Sequence, residues 1–349
     1  PSQYTSVRLG EFPNPNVGWE KAKKLNLGAD LSFFNQLNIS VDYFKENREG
    51  IFLQRKSIPM YVGLSTKPWV NIGKMRNSGI DASLEYHQPL GKDIHLTVRG
   101  NFTYARNRIM DQDEPDYAYT YMNRSGQMQY QKFGLVAVGL FQDQEDIDSW
   151  TKQSFGEVKP GDIKYLDLNG DGIVDSYDTK PIGYSDIPEI VYGFGFSLQW
   201  KAFDLSAFFQ GVAHVNFSTL TDQTQAFVGR NLKESSVFAD LYGNTWTPEN
   251  PGAKYPRMTT GAVDNNNQLS TFWMADGRYL RLKNLQVGYT LPTRLTRKIW
   301  IDKLRVYFTG DNLLTWDKMP KGWDPETPSG DAEIYPIAQT FVFGIQLTF

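Results

Sequence analysis

The 349-residue chain has no cysteine, only three histidines and a formal net charge of −3. Without thiols it can build neither a disulfide framework nor a thiolate metal site, and their absence leans towards export rather than the cytosol. Without a basic excess it lacks the electrostatic footprint of a nucleic-acid binder. His87, His95 and His214 stand at no metal-ligand spacing. Long apolar runs are missing too. The longest stretch without a charge or polar break is Phe133–Phe141, far short of the ~18 apolar residues of a membrane helix. No nucleophile motif, phosphate loop or acid–base pair appears, which argues against an enzyme. The chain opens Pro1-Ser2-Gln3, with neither initiator Met nor signal peptide, so residue 1 is expected to lie inside a longer precursor.

Aromatics are plentiful: 22 Phe, 19 Tyr and 9 Trp make up 14% of the residues. Yet only 40% of the chain is hydrophobic and the mean hydropathy is −0.47. A chain that is polar on average and rich in rings suits a barrel with a lipid face, a wet lumen and aqueous loops.

Period-2 alternation bears this out, and it comes in pairs. Leu25, Leu27, Ala29, Leu31 and Phe33 alternate with polar residues and Gly28; past Asn35-Gln36, Leu37, Ile39, Val41 and Tyr43 do the same. A second pair covers 80–86 and 94–104, a third 190–200 and 203–209, and a fourth 278–291 and 304–313. The phase of 278–291 changes between Leu282 and Leu285, which predicts a β-bulge near Lys283-Asn284. A ninth strand ends the chain at Phe341, Phe343, Ile345, Leu347 and Phe349. Links within pairs are short, whereas those between pairs, at 47–77, 107–188, 213–277 and 314–338, are long. Short turns at one end and long loops at the other is the asymmetry of outer-membrane barrels, with the long loops extracellular. The fold class expected is therefore all-β: a transmembrane antiparallel β-barrel segment of about nine C-terminal strands. Nine is odd, and an open sheet in lipid leaves unpaired backbone groups at its edges, so further strands are expected upstream.

Within the 107–188 loop, Asp167–Asp178 reads DLNGDGIVDSYD and follows the calcium-loop pattern through six positions. Asp167, Asn169 and Asp171 offer side-chain oxygens, Ile173 its carbonyl, Asp175 a water-mediated contact, and Asp178 stands where calcium loops carry a bidentate Glu. A structural calcium ion pinning the loop is expected; the alternative is a loop that holds itself through Asx turns. Tyr43, Tyr104, Tyr192, Trp200, Phe203, Tyr289 and Phe349 fall near strand ends and suit an interfacial girdle. Among loop aromatics, Trp69, Trp150, Trp246, Trp273, Trp316 and Trp323 are candidates for contact with a glycan or a covering partner.

Several segments together resemble one family, the SusC/RagA class of TonB-dependent outer-membrane transporters of Bacteroidetes. They are Lys159-Pro-Gly-Asp-Ile-Lys-Tyr165 with the DLNGDG run at 167–172, Pro181-Ile-Gly183 leading to Pro188, and Tyr192-Gly-Phe-Gly-Phe196. Further on come Tyr279-Leu-Arg-Leu-Lys-Asn-Leu285, Gly288-Tyr-Thr-Leu-Pro292, Arg305-Val-Tyr-Phe-Thr-Gly-Asp-Asn-Leu313, Gly322-Trp-Asp-Pro-Glu326 and the aromatic terminus. The resemblance covers nearly the whole chain. It implies residence in the outer membrane and a 22-stranded barrel with an N-terminal plug that lies outside these residues. It also implies a SusD-like surface lipoprotein as lid, energy supplied through the TonB complex, and import of oligosaccharides or, in some members, peptides. A calcium-stabilised surface carbohydrate-binding β-protein and a passive porin-like barrel remain as other readings of the strands.

Overall fold

A computed structural model describes residues 13–221, 224, 239–327 and 337–349. Nine strands form one sheet: β1 (Lys21–Phe33), β2 (Leu37–Gln54), β3 (Trp69–Leu90), β4 (Ile94–Asp111), β5 (Ile190–Trp200), β6 (Phe203–Ala213), β7 (Tyr279–Thr290), β8 (Lys303–Asp317) and β9 (Thr340–Thr348). Each pairs antiparallel with the next, in chain order. The nine strands read from alternation are thus the nine observed, an open wall rather than a closed barrel.

Alternation sorts side chains onto two faces. Across β5–β6–β7, the row Phe196, Ala207, Leu285 is apolar, while the neighbouring row Ser197, Ser206, Gln286 is polar. Among the described residues much of the apolar face is left bare: Leu27 is 62% exposed, Ile345 68% and Phe343 81%. Exposed apolar area on this scale is unstable in water and stable against lipid. On the polar face the Phe208 ring closes over Gly193 and Gly195, where any side chain would collide with it.

The β1–β2 turn places Phe34 and Asn35 at φ 55° and 54°, a tight hairpin turn whose twist matches its strands. The bulge falls where the phase change puts it. Leu282 pairs Leu314 and Asn284 pairs Asp311, leaving Lys283 outside the ladder. In consequence Arg281, Lys283 and Asn284 all serve the polar face.

One expectation is corrected. The 47–77 link is mostly strand, because β2 runs on to Gln54 and β3 starts at Trp69. From Lys45 to Glu49 both faces of β2 are polar, which hides the strand from a hydropathy reading. The backbone ladder continues nonetheless, reinforced by the cross-strand pair of Lys24 with Glu46 at 3.4 Å, while Arg48 holds the same carboxylate from within β2 at 2.7 Å.

The buried core lies beyond the sheet, at its loop end. Leu135, Ile163, Tyr165 and Val174 of the β4–β5 link pack with Leu241, Trp246, Tyr255 and Trp273 of the β6–β7 link. Two segments expected as separate loops therefore share one core. Backbone bonds between Leu135 and Leu269 and between Thr271 and Leu135 stitch them together. A second cluster joins Val212, Val215, Phe217, Tyr279 and Met319 beside it.

Candidate functional site

The polar face and the loop unit above it carry the chain's concentrated chemistry. At the junction, Glu189 is 4% exposed and precedes β5. The Arg106 guanidinium of β4 grips its carboxylate with two bonds of 2.6 Å, and His214 Nδ1 lies 3.1 Å away. Lower on the wall, Arg305 of β8 forks onto Asp204 of β6 across Gly288. Arg281, 3% exposed, donates 2.8 Å bonds to Thr315 and Asp324 and faces Glu326 at 3.0 Å, while Lys283 bonds Glu326 at 2.6 Å. Two motifs met separately in the sequence, 279–285 and 322–326, are thus the two halves of one ionic network. It folds the start of the β8–β9 link back onto the polar face.

Within the loop unit, Asp162 of the Lys-Pro-Gly-Asp motif is fully buried. It accepts from Arg257 Nε at 2.8 Å, Asn266 Nδ2 at 2.9 Å and the Lys159 N–H at 2.8 Å. The preceding Gly161 sits at φ +88° beneath the Trp246 ring, which a side chain there would strike. Other pairs fasten the unit's margins. Burial raises the Asp113 carboxyl, but Arg55 and the N–H groups of Ser57 and Lys56 outweigh it and hold the group below its ordinary value. Asp146 behaves likewise, burial being outweighed by Lys164. The Lys254 ammonium holds Asp240 down against burial. Burial also pushes the Tyr165 phenol up.

The 167–178 loop closes on its own backbone. Asp167 accepts from the N–H groups of Gly170 and Gly172, Asn169 from Asp171, Asp171 from Ile173, and Asp175 from Tyr177. Asp178, expected as a ligand, is instead fully buried and knots the loop's ends. It takes the N–H groups of Leu168, Asn169 and Asp175. Among the described residues no three His, Asp or Glu side chains converge as a metal cluster. The donors left for a cation are Asp167, Asn169, Asp171, the Ile173 carbonyl and Asp175, an all-oxygen set of the kind calcium takes.

The six tryptophans part company. Trp273 and Trp246 are core residues, 1% and 8% exposed. Trp323 packs on the second cluster. Trp150 donates its indole N–H to the Tyr165 carbonyl at 2.8 Å, with Lys164 over its ring. Trp316 pairs with Leu280 and is 51% exposed on the apolar face, away from the inner wall. Trp69 stacks on Phe52 at 5.4 Å and remains half exposed. At the turn end, Trp200, Phe203 and Tyr289 stack in series on the apolar face, as a girdle requires.

Sequence reasoning did not find Asp162–Arg257 or Arg106–Glu189. The partners lie 95 and 83 residues apart, and no local period reports a contact at such range.

Residues 2–313 match the family described as TonB dependent receptor-like, beta-barrel. The chain belongs to that family. This receptor barrel is 30% identical to TonB-dependent receptor P3 of Formosa agariphila over 99% of its own length and 36% of the relative's. It is 27% identical to TonB-dependent receptor SusC of Bacteroides thetaiotaomicron, over 99% and 33% of the two chains. Among solved structures it resembles the RagAB peptide transporter, with TM-score 0.70, 25% identity and coverage of 96% and 36%. The "closed-closed" state of the RagAB peptide importer gives 0.69 and 26%, with the same coverage. The chain therefore spans about a third of the length of the relatives it matches. The receptor barrel resides in the outer membrane, its apolar face against lipid and its polar face forming the inner wall.

Proposed function

We propose that this chain forms the C-terminal part of the barrel of a SusC/RagA-type importer. Such an importer draws an oligomeric nutrient through the outer membrane with energy supplied through TonB, under a SusD-like surface lipoprotein that covers the loop end. One observation carries the reading: a wall of long strands with a continuous lipid face, and opposite it a polar face crossed by ion pairs too well satisfied for a reacting centre. The cargo classes are oligosaccharide and peptide. Support for oligosaccharide came from the loop tryptophans, and burial of Trp246 and Trp273 and the position of Trp316 on the apolar face remove half of it. Likeness to a peptide transporter adds weight to the other class, so peptide is the cargo class we carry forward. The test is uptake by cells carrying the full-length receptor, with and without TonB. Import confined to TonB-proficient cells is the expected result. Equal import without TonB means a passive pore, and full solubility of the receptor without detergent means a surface binding protein.

The 167–178 loop is proposed to hold a structural calcium ion through Asp167, Asn169, Asp171, Ile173 and Asp175, with Asp178 as the internal knot. Titration of calcium into chelator-washed receptor is expected to release or absorb heat and to protect the loop from protease. Asp167→Ala with Asp171→Ala should abolish both. No heat and no protection in the unaltered receptor means the Asx turns suffice.

A further inference from the structure

Near the loop end, the inner wall holds a recess of about 570 Å³. Its floor is a polar row crossing three strands at one level, where Glu46 of β2 pairs in register with Asn77 of β3, and Asn77 with Asn107 of β4. Its lip comes from the β4–β5 link, through Met128, Gln129, Ile187 and Pro188.

The charges around the recess are already answered. Arg48 bonds both Glu20 and Glu46, and Glu189 is closed by Arg106 and His214. The amides are not. Among the described residues nothing bonds the side-chain amide of Asn77 or of Gln129, and Asn107 uses only its oxygen, accepting from the Gln129 N–H at 2.6 Å. Each open carboxamide offers a donor and an acceptor side by side, the complement of a peptide group. Among the described residues the apolar lining is aliphatic and thioether, Ile51, Met75, Met128 and Ile187, and none of it is aromatic. Methionine adapts to side chains of varied shape, whereas a sugar ring finds no aromatic face to stack on.

We infer that this recess is a binding station for an extended peptide segment of the cargo. Asn77 and Gln129 bond its backbone, and Met75 and Met128 receive its variable side chains. The inference rests on the importer reading above and gives that reading a place and a chemistry on the inner wall.

The test uses the full-length receptor with its lipoprotein, and two labelled probes: a tryptic digest of casein and a maltooligosaccharide ladder. The unaltered complex is expected to bind casein peptides. Asn77→Leu combined with Gln129→Leu should weaken that binding about ten- to thirty-fold, as the loss of two hydrogen bonds implies. Assembly is checked by the heat-dependent shift in gel mobility. Should the double variant fail it, Gln129→Ala alone is expected to weaken binding about three- to five-fold. Equal peptide affinity in the unaltered and substituted complexes overturns the station and leaves the importer standing. Binding of the sugar ladder and not of peptides overturns the peptide chemistry and leaves the importer standing. Uptake of neither probe by TonB-proficient cells sinks both readings together.

Discussion

At the scale of single residues, the loop unit depends on side chains whose value is set by what surrounds them. Asp162 is buried against Arg257, itself 24% exposed. Breaking a buried pair costs about 3–5 kcal/mol because the remaining charge is left unanswered, and Arg257's partial access to water places the cost near 3. Asp162→Ala is therefore expected to loosen the loop unit while the strands stay assembled. Limited proteolysis should then cut within 135–182 or 239–273 under conditions that leave the unaltered receptor intact. Asp178 carries the same lesson. From spacing it looks like a metal ligand, yet three backbone N–H groups hold it inside the loop.

At the scale of elements, two predictions follow from register and from charge. Removing Lys283 straightens β7 and restores one uninterrupted phase. Gln210 and Ser206 of β6 stand opposite Arg281 and Gln286 with Lys283 already skipped, so without it both rows keep the polar face, whereas a slip elsewhere would send them to lipid. Deletion of Lys283 and Lys283→Ala should therefore both keep the heat-modifiable assembled form and lose only the bond to Glu326; loss of that form in the deletion alone would assign the bulge to the pairing with β8. The second concerns acid. Asp113, Asp146 and Asp240 are all held below the ordinary value of 3.8 in the folded loops. Their stabilisation is complete above 3.8 and fades as pH falls through the lower folded values. Protease sensitivity of the loop unit should stay flat from pH 7 to about 5 and rise below 3.8. A rise centred near pH 6 would overturn the assignment to these three carboxylates. The strands and the bulge were legible in the sequence because lipid on one side and water on the other write a period of 2. The upper halves of β2 and β3 were not, since water on both faces erases that period while the ladder persists. Nor was the shared core of the two long links, because its contacts join residues about a hundred positions apart.

For the whole molecule, the outward apolar face fixes which solvent surrounds the sheet. Phe343, 81% exposed on β9, should tolerate leucine. Phe343→Lys should cost about 2–4 kcal/mol if it lies at the bilayer midplane and less towards either interface. Val342→Lys, on the polar side of the same strand, should cost far less. Folding yields of the full-length receptor in vesicles separate the two substitutions. Equal yields would place water, not lipid, on both sides of β9.

The strands also differ greatly in length: β3 has 22 residues and β9 only 9. At ~3.3 Å per residue and a tilt near 40° they rise about 55 and 23 Å along the barrel axis. The shorter just matches an apolar band ~25 Å tall. The loop-end edge of this nine-stranded wall is accordingly not level. Along these nine strands the edge climbs some 30 Å from β9 to β3, a tall parapet at one side falling nearly to the lipid surface at the other.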